Sequence, residues 1–255
     1  MKIIVSKDAK ALGERAAEYV AGILNQCIAE KGEARIVLST GASQLTTIEA
    51  LVQKPVDWSK VEMFHLDEYV GLPETHIASF RKYLRERFVE KVHPKAAYLV
   101  DGTPEGIAGI TAALRKKPVD VGLIGIGENA HIAFNDPPAD FDTREAYIVV
   151  NLNDTCKNQQ VHEGWFANVD EVPKQAVSMT VYQILQCRRI VSCVPYAVKA
   201  DAIQKTLEND ETSRIPATIL KGHPDFVLFA DEDSFSKVEE EKIRPAAGCS
   251  YTLER

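Results

Sequence analysis

The sequence lacks an apolar run of bilayer length, and Met1-Lys-Ile-Ile-Val-Ser-Lys-Asp8 lacks the apolar core of a secretory signal, so neither membrane insertion nor export is expected. Cysteine is sparse, with five in 255 residues at positions 27, 156, 187, 193 and 249, and none forms a C-x-x-C pair. An odd, scattered set in an acidic chain reads as reduced thiols in a cytoplasm, not as a disulfide framework. Basic charge is in deficit as well. Thirty Lys and Arg against 37 Asp and Glu leave a net charge of −7, which argues against a nucleic-acid or anionic-membrane partner. It does not argue against a small anion, for which a local nest of backbone amides suffices.

Several signatures of chemistry are missing too. No G-K-[ST] closes a Walker loop, and Gly125-Ile-Gly127 lacks the third glycine and the helix start of a dinucleotide fingerprint. No G-x-S-x-G supplies a serine nucleophile for a histidine base. His and Cys do not recur at metal-ligand spacing around His131, so no metal site is expected there.

What is present, at 45% hydrophobic, is an alternation of short apolar runs with helical periodicity. Strands are expected at Lys2–Ser6, Arg35–Ser39, Val61–Leu66, Ala97–Val100, Val121–Ile126, Tyr147–Leu152, Ala176–Val181, Arg189–Val194 and Phe226–Ala230. Helical patterns fill Asp8–Glu30, Leu45–Val52, Ser79–Val89, Pro104–Lys116 and Ala197–Leu207, with a helix start at Asp154–Gln160 and a charged tail over Asp231–Lys242. This order predicts an α/β fold: a mostly parallel, doubly wound, Rossmann-like sheet with helices on both faces. No repeat or linker divides the chain, so residues 1–255 read as one domain, with a mobile flap expected around 140–175 from its Pro, Asn and aromatic mixture.

In a parallel sheet the loops that follow strands emerge at one edge. Three of them carry more polarity than packing requires. Thr40-Gly-Ala-Ser43 is small enough for close backbone approach to a phosphate, with two hydroxyls as extra donors; the same residues also describe an ordinary capped helix start. His65-Leu-Asp-Glu-Tyr69 sets two adjacent carboxylates at a strand end, either one general base with its neighbour turned aside or two solvated turn acids. Gly127-Glu-Asn-Ala-His-Ile-Ala-Phe-Asn-Asp136 surrounds His131 with Asn129 and Asp136, as an oriented acid/base or as a satisfied loop histidine.

Together, Leu38-Ser-Thr-Gly-Ala-Ser43, Phe64-His-Leu-Asp-Glu-Tyr-Val-Gly-Leu-Pro73 and Gly125-Ile-Gly-Glu-Asn-Ala-His-Ile-Ala-Phe-Asn-Asp-Pro137 resemble the glucosamine-6-phosphate deaminase (isomerising) family. Weaker echoes are Asp170-Glu-Val-Pro-Lys174, Lys199-Ala and His223-Pro. The resemblance implies conversion of an amino-sugar phosphate to fructose 6-phosphate and ammonia without a cofactor, in a small-molecule enzyme that is often a homo-oligomer. It implies Asp67 as the base that moves the C2 proton to C1 and His131 as the ring-opening group, with Asn129 and Asp136 orienting it. Thr40, Gly41, Ala42, Ser43 and Lys199 are then the substrate's phosphate contacts.

The chain departs from that family in places. Asn129 and Asp136 stand where Asp and Glu are frequent, and Ala130 where glycine is usual. No arginine lies in Val161–Asn168, where the family carries a phosphate cation; Arg144, Lys157 and Lys174 are the nearest candidates to replace it. The family's allosteric activator cluster has no counterpart here. Two alternatives accompany this reading. One is a 6-phosphogluconolactonase-type hydrolase, although His131-Ile-Ala-Phe-Asn135 replaces the G-H-T-A-S continuation usual there; the other is a non-catalytic sugar-phosphate binder.

Overall fold

A computed structural model describes residues 1–162 and 164–255. The chain begins with β1 (Lys2–Ser6), α1 (Ala9–Lys31), β2 (Ala34–Leu38), α2 (Leu45–Leu51), β3 (Val61–His65) and β4 (Asp67–Tyr69). α3 (Phe80–Leu84) runs through a wide turn at Arg85–Val89 into α4 (Glu90–Val92), followed by β5 (Ala96–Tyr98), α5 (Pro104–Leu114) and β6 (Val121–Leu123). Then come β7 (Tyr147–Asn151), α6 (Asp154–His162), β8 (Gln175–Met179), α7 (Val181–Leu185) and β9 (Ile190–Val194). The last elements are α8 (Ala200–Glu208), β10 (Phe226–Asp231), α9 (Glu232–Phe235) and β11 (Thr252–Glu254).

Eight strands form the main sheet in the order β11-β1-β10-β9-β6-β2-β3-β5, and every pairing in it is parallel. Both faces are covered, as the alternation of elements predicts. Leu12, Ala16, Val20 and Leu24, at helical spacing on α1, pack with Ile36, Leu38 and Met63 on one face. Val37, Phe64, Ile110 and Ile203 belong to the core on the other. α1 starts where Asp8 caps the Ala11 amide and stops where Gly32 takes a left-handed φ of 80°.

The structure adds a layer that the alternation of elements conceals. Asp67–Tyr69 is not the tail of β3 but a strand of its own, and with Tyr147–Asn151 and Gln175–Met179 it forms a separate antiparallel sheet ordered β4-β8-β7. The register sets Asp67 opposite Ser178, and Ser178 opposite Ile148. This small sheet begins at Leu66, whose carbonyl accepts the Met179 amide at 2.9 Å.

The order of the main sheet explains where a site can form. After β5 the chain returns to place β6 on the far side of β2, so the loops after β2 and β6 diverge from a crevice between neighbouring strands. Ser39 N–H donates to the Leu123 carbonyl at 3.0 Å across that crevice. β3 and β9 flank the pair, bringing the loops after Leu38, His65, Leu123 and Val194 together at one edge. The opposite edge carries stabilising charge: the buried Arg35 guanidinium donates to the Ala113 carbonyl at 2.6 Å and pairs with Glu62 at 3.1 Å. Among the described residues, no helix is long and apolar enough to cross a membrane.

Candidate active site

Loop 39–44 is built by β2 and its neighbours. Gly41 has φ of 100°, which an L side chain rarely adopts, and its carbonyl accepts the Gln44 amide and the Tyr83 hydroxyl. A tight turn at Ala42–Gln44 then enters α2. Buried Gln44 braces the loop from behind, donating to the Ser43 Oγ at 3.1 Å and to the Cys193 carbonyl at 3.0 Å. Lys199, buried at the end of a short turn after β9, reaches the same cleft.

The two carboxylates after β3 divide as a strand's alternation requires. Glu68 turns inward and is fully buried. It accepts the Tyr69, Phe80 and Arg81 amides at 2.9, 3.2 and 2.7 Å, the Ser79 hydroxyl at 3.0 Å and the Arg81 Nε at 3.3 Å. Burial pushes this carboxyl's pKa up, opposed by the backbone amides of Arg81, Tyr69 and Phe80 and by Ser79. It is the anchor of α3. Glu68→Ala would leave Arg81, only 14% exposed, without its carboxylate partner. We expect a loss of about 3–5 kcal/mol, the usual consequence of breaking a buried ion pair. A melting temperature within a degree or two of wild type would show that the network contributes little.

Asp67 points the other way, into the cleft. It is 6% exposed. Burial, and then the neighbouring Glu68, push its pKa up to about 8. Two bonds fix its backbone: the Met179 amide to Leu66, and the Tyr147 hydroxyl to the His65 carbonyl at 2.6 Å. The His65 imidazole is itself fully buried and neutral, its pKa lowered to about 3 by burial and by Arg81.

The loop after β6 holds His131 from three sides. His131 Nδ1 lies 2.7 Å from Asn129 Oδ1 and 3.2 Å from Asp136 Oδ1, and Asn129 Nδ2 donates to the same Asp136 oxygen at 3.1 Å. Asn129 Oδ1 also accepts the His131 amide at 3.0 Å. Because both neighbours of Nδ1 are acceptors, that nitrogen carries the proton and Nε2 is left as the cleft's proton-exchanging atom. Burial raises the Asp136 pKa, but bonds from His131, Asn129 and Cys156 outweigh it and leave it lowered. Asp136 is thus the ionised partner, and Asn129 couples it to the ring. Ala130 has a φ of 66° and is fully buried, which gives the physical reason for glycine at such a place. Asn135 has a structural role. Its amide donates to the Ile132 and Met179 carbonyls at 2.8 and 2.9 Å and pins the loop to β8.

These loops surround one cleft, partly open to solvent, whose lining includes Thr40, Gly41, Ala42, Ser43, Asp67, His131 and Lys199. Asn129 and Asp136 stand behind His131. Among the described residues, Arg144, Lys157 and Lys174 do not line it; Arg144 lies over the Tyr182 ring instead. Gln159 and Gln160 from α6 do line it, and no apolar stripe in that polar helix marks them beforehand. His223 is elsewhere, bonded through Nε2 to the Cys187 carbonyl at 2.8 Å. Among the described residues, no cluster of three or more His, Cys, Asp or Glu could hold a metal ion.

Known proteins resemble this chain over most of its length. The family described as glucosamine-6-phosphate isomerases/6-phosphogluconolactonase matches residues 7–228. Glucosamine-6-phosphate deaminase of Staphylococcus epidermidis is 34% identical over 244 residues, covering 91% of this chain and 97% of that protein. The enzyme of the same name from Lactobacillus delbrueckii subsp. bulgaricus is 31% identical, covering 92% and 99%. The solved structure of a monomeric glucosamine-6-phosphate deaminase superimposes with a TM-score of 0.83 at 26% identity, over 92% of this chain and 99% of that one. A 6-phosphogluconolactonase from Shewanella baltica shares the fold, with a TM-score of 0.74 at 21% identity over 91% and 98%. By the extent of these matches, the chain belongs to the glucosamine-6-phosphate isomerase/6-phosphogluconolactonase family.

Proposed function

We propose that this protein converts glucosamine 6-phosphate, or a close amino-sugar 6-phosphate, to fructose 6-phosphate and ammonia. The observation that carries the reading is the meeting of Asp67, His131 and loop 40–43 in one cleft, although they arrive on three different strands. Backbone amides and hydroxyls of Thr40, Gly41, Ala42 and Ser43, with the Lys199 ammonium, suit the 6-phosphate and supply binding energy remote from the reacting carbons.

The chemistry then falls to the other two loops. His131 Nε2 exchanges the proton between the ring oxygen and the C1 hydroxyl, opening the sugar to its aldehyde. Asp136 stabilises the imidazolium that forms in passing. Asp67 takes the proton from C2 while a proton from the substrate's own ammonium passes to the aldehyde oxygen, giving an enolamine; Asp67 then returns its proton to C1, which leaves an iminium at C2. Water adds to that carbon and ammonia departs, so no electrons are gained or lost overall. In this reading a single sugar-phosphate domain spans 1–255, and Gln159 and Gln160 of α6, within the expected flap, line the cleft.

Purified protein given glucosamine 6-phosphate is expected to release ammonia and fructose 6-phosphate in equal amounts. No turnover of glucosamine or galactosamine 6-phosphate alongside rapid hydrolysis of 6-phosphogluconolactone would overturn the proposal; sugar-phosphate binding without any turnover would leave a binder, not an enzyme. His131→Asn is expected to slow the closed-ring substrate by about 10²-fold or more, and an open-chain analogue much less. Equal losses on both would remove the ring-opening role.

A further inference from the structure

The three polar loops account for the two ends of a sugar phosphate, but nothing in them addresses its middle. α6 does. Its buried residues are Cys156 and Gln160, four apart and therefore on one face of the helix. Cys156 lies within hydrogen-bonding reach of the Asp136 carboxylate, which fixes the start of this face at the acid/base end of the cleft. Gln160 follows about one turn later, roughly 5–6 Å along the axis, and lines the cleft. It is held there. The Tyr69 hydroxyl donates to Gln160 Oε1 at 2.6 Å, and Tyr69 is packed among Phe80, Phe134 and Phe166 with ring centroids 5.1 to 5.5 Å away.

With its Oε1 occupied, Gln160 has an N–H donor to offer, from a side chain only 6% exposed. A donor so placed discriminates strongly, because a buried polar group that loses its partner is costly. We propose that Gln160, seated by Tyr69, is a specificity residue that donates to the C4 hydroxyl of the sugar. This rests on the function proposed above and names the residue that reads the sugar's stereochemistry.

The test uses binding so that it can be read whether or not the protein turns substrate over. Glucose 6-phosphate, its C4 epimer galactose 6-phosphate, and inorganic phosphate are titrated calorimetrically into wild type, Gln160→Leu and Tyr69→Phe, with melting temperatures as a control on folding. Wild type is expected to prefer one epimer. Gln160→Leu should weaken that epimer about tenfold or more, bring the two within a few-fold of each other, and leave inorganic phosphate unchanged; Tyr69→Phe should shift the ratio in the same direction by less. An unchanged epimer ratio in Gln160→Leu overturns the proposal. So does a loss shared equally by inorganic phosphate, which would place the amide on the phosphate. If neither sugar phosphate binds wild type, the function proposed above fails, and this inference with it. Binding without deamination removes only the catalytic reading.

Discussion

Asp67→Asn is expected to lower the turnover of glucosamine 6-phosphate by about 10²–10⁴-fold while changing KM only a few-fold. The substitution preserves shape, and the backbone that carries the side chain is fixed independently of the carboxylate. β4 pairs with β8, the Met179 amide binds Leu66, and the Tyr147 hydroxyl binds the His65 carbonyl. In the proposed reaction, what is lost is the proton acceptor for C2. The pH dependence gives a second reading of the same group. Burial, and then Glu68, hold the Asp67 pKa at about 8 in the free protein, and the base works only when ionised. kcat/KM of wild type should therefore rise with pH and level off above about 8.

Stability should run the other way. A carboxyl whose pKa is raised on folding contributes most below its unfolded value, near 4, and that contribution is lost as pH climbs through its folded value. Wild type should lose stability relative to Asp67→Asn between about pH 4 and 8, where the asparagine variant has no charge to bury. Melting curves of both proteins across that range check the sign. A wild type that gains on the variant as pH rises would mean that Asp67 is ionised and paired, and so not the poised base.

The reach of the sequence can be judged residue by residue. α1 was legible because Leu12, Ala16, Val20 and Leu24 recur at helical spacing, and all four are fully buried. The parallel order and the three polar loops follow from strand–helix alternation, since a parallel sheet delivers such loops to one edge whatever their residues. Strand partners are different. Asp67–Tyr69 is as short as a turn, and its place depends on Gln175–Met179, a hundred residues away along the chain, a pairing that local periodicity does not encode. Thr252–Glu254 is equally short and mostly exposed at the sheet edge, so it shows no apolar signature. The division of labour between Asp67 and Glu68 was open in the sequence; the amides around α3 decide it, by claiming Glu68. Gln159 and Gln160 were silent because their polarity faces a cleft rather than water, and composition alone does not separate the two.

The second large effect is expected at Gly127, which touches no substrate in the proposed reaction. A Cβ built there would lie 2.1 Å from His131 Cε1 and 2.2 Å from Nε2. The ring packs flush on the glycine backbone, and the same turn is closed by the Gly127 amide on the His131 carbonyl at 2.9 Å. In Gly127→Ala the ring must swing away, yet its Nδ1 is tethered to Asn129 and Asp136, so relief costs either those bonds or the turn. Displacing a catalytic group by about 1 Å is enough for roughly a 10²-fold loss in rate. Loop 39–43 is untouched, so affinity for inorganic phosphate should stay near wild type. Pairing the substitutions separates this from general damage to the fold. If Gly127 acts through His131, adding Gly127→Ala to His131→Asn should cost little further turnover, whereas independent defects would multiply. A double variant slower than His131→Asn by the full factor of the single Gly127 change would mean that the glycine shapes the loop for some other purpose, and the ring's seat would need another explanation.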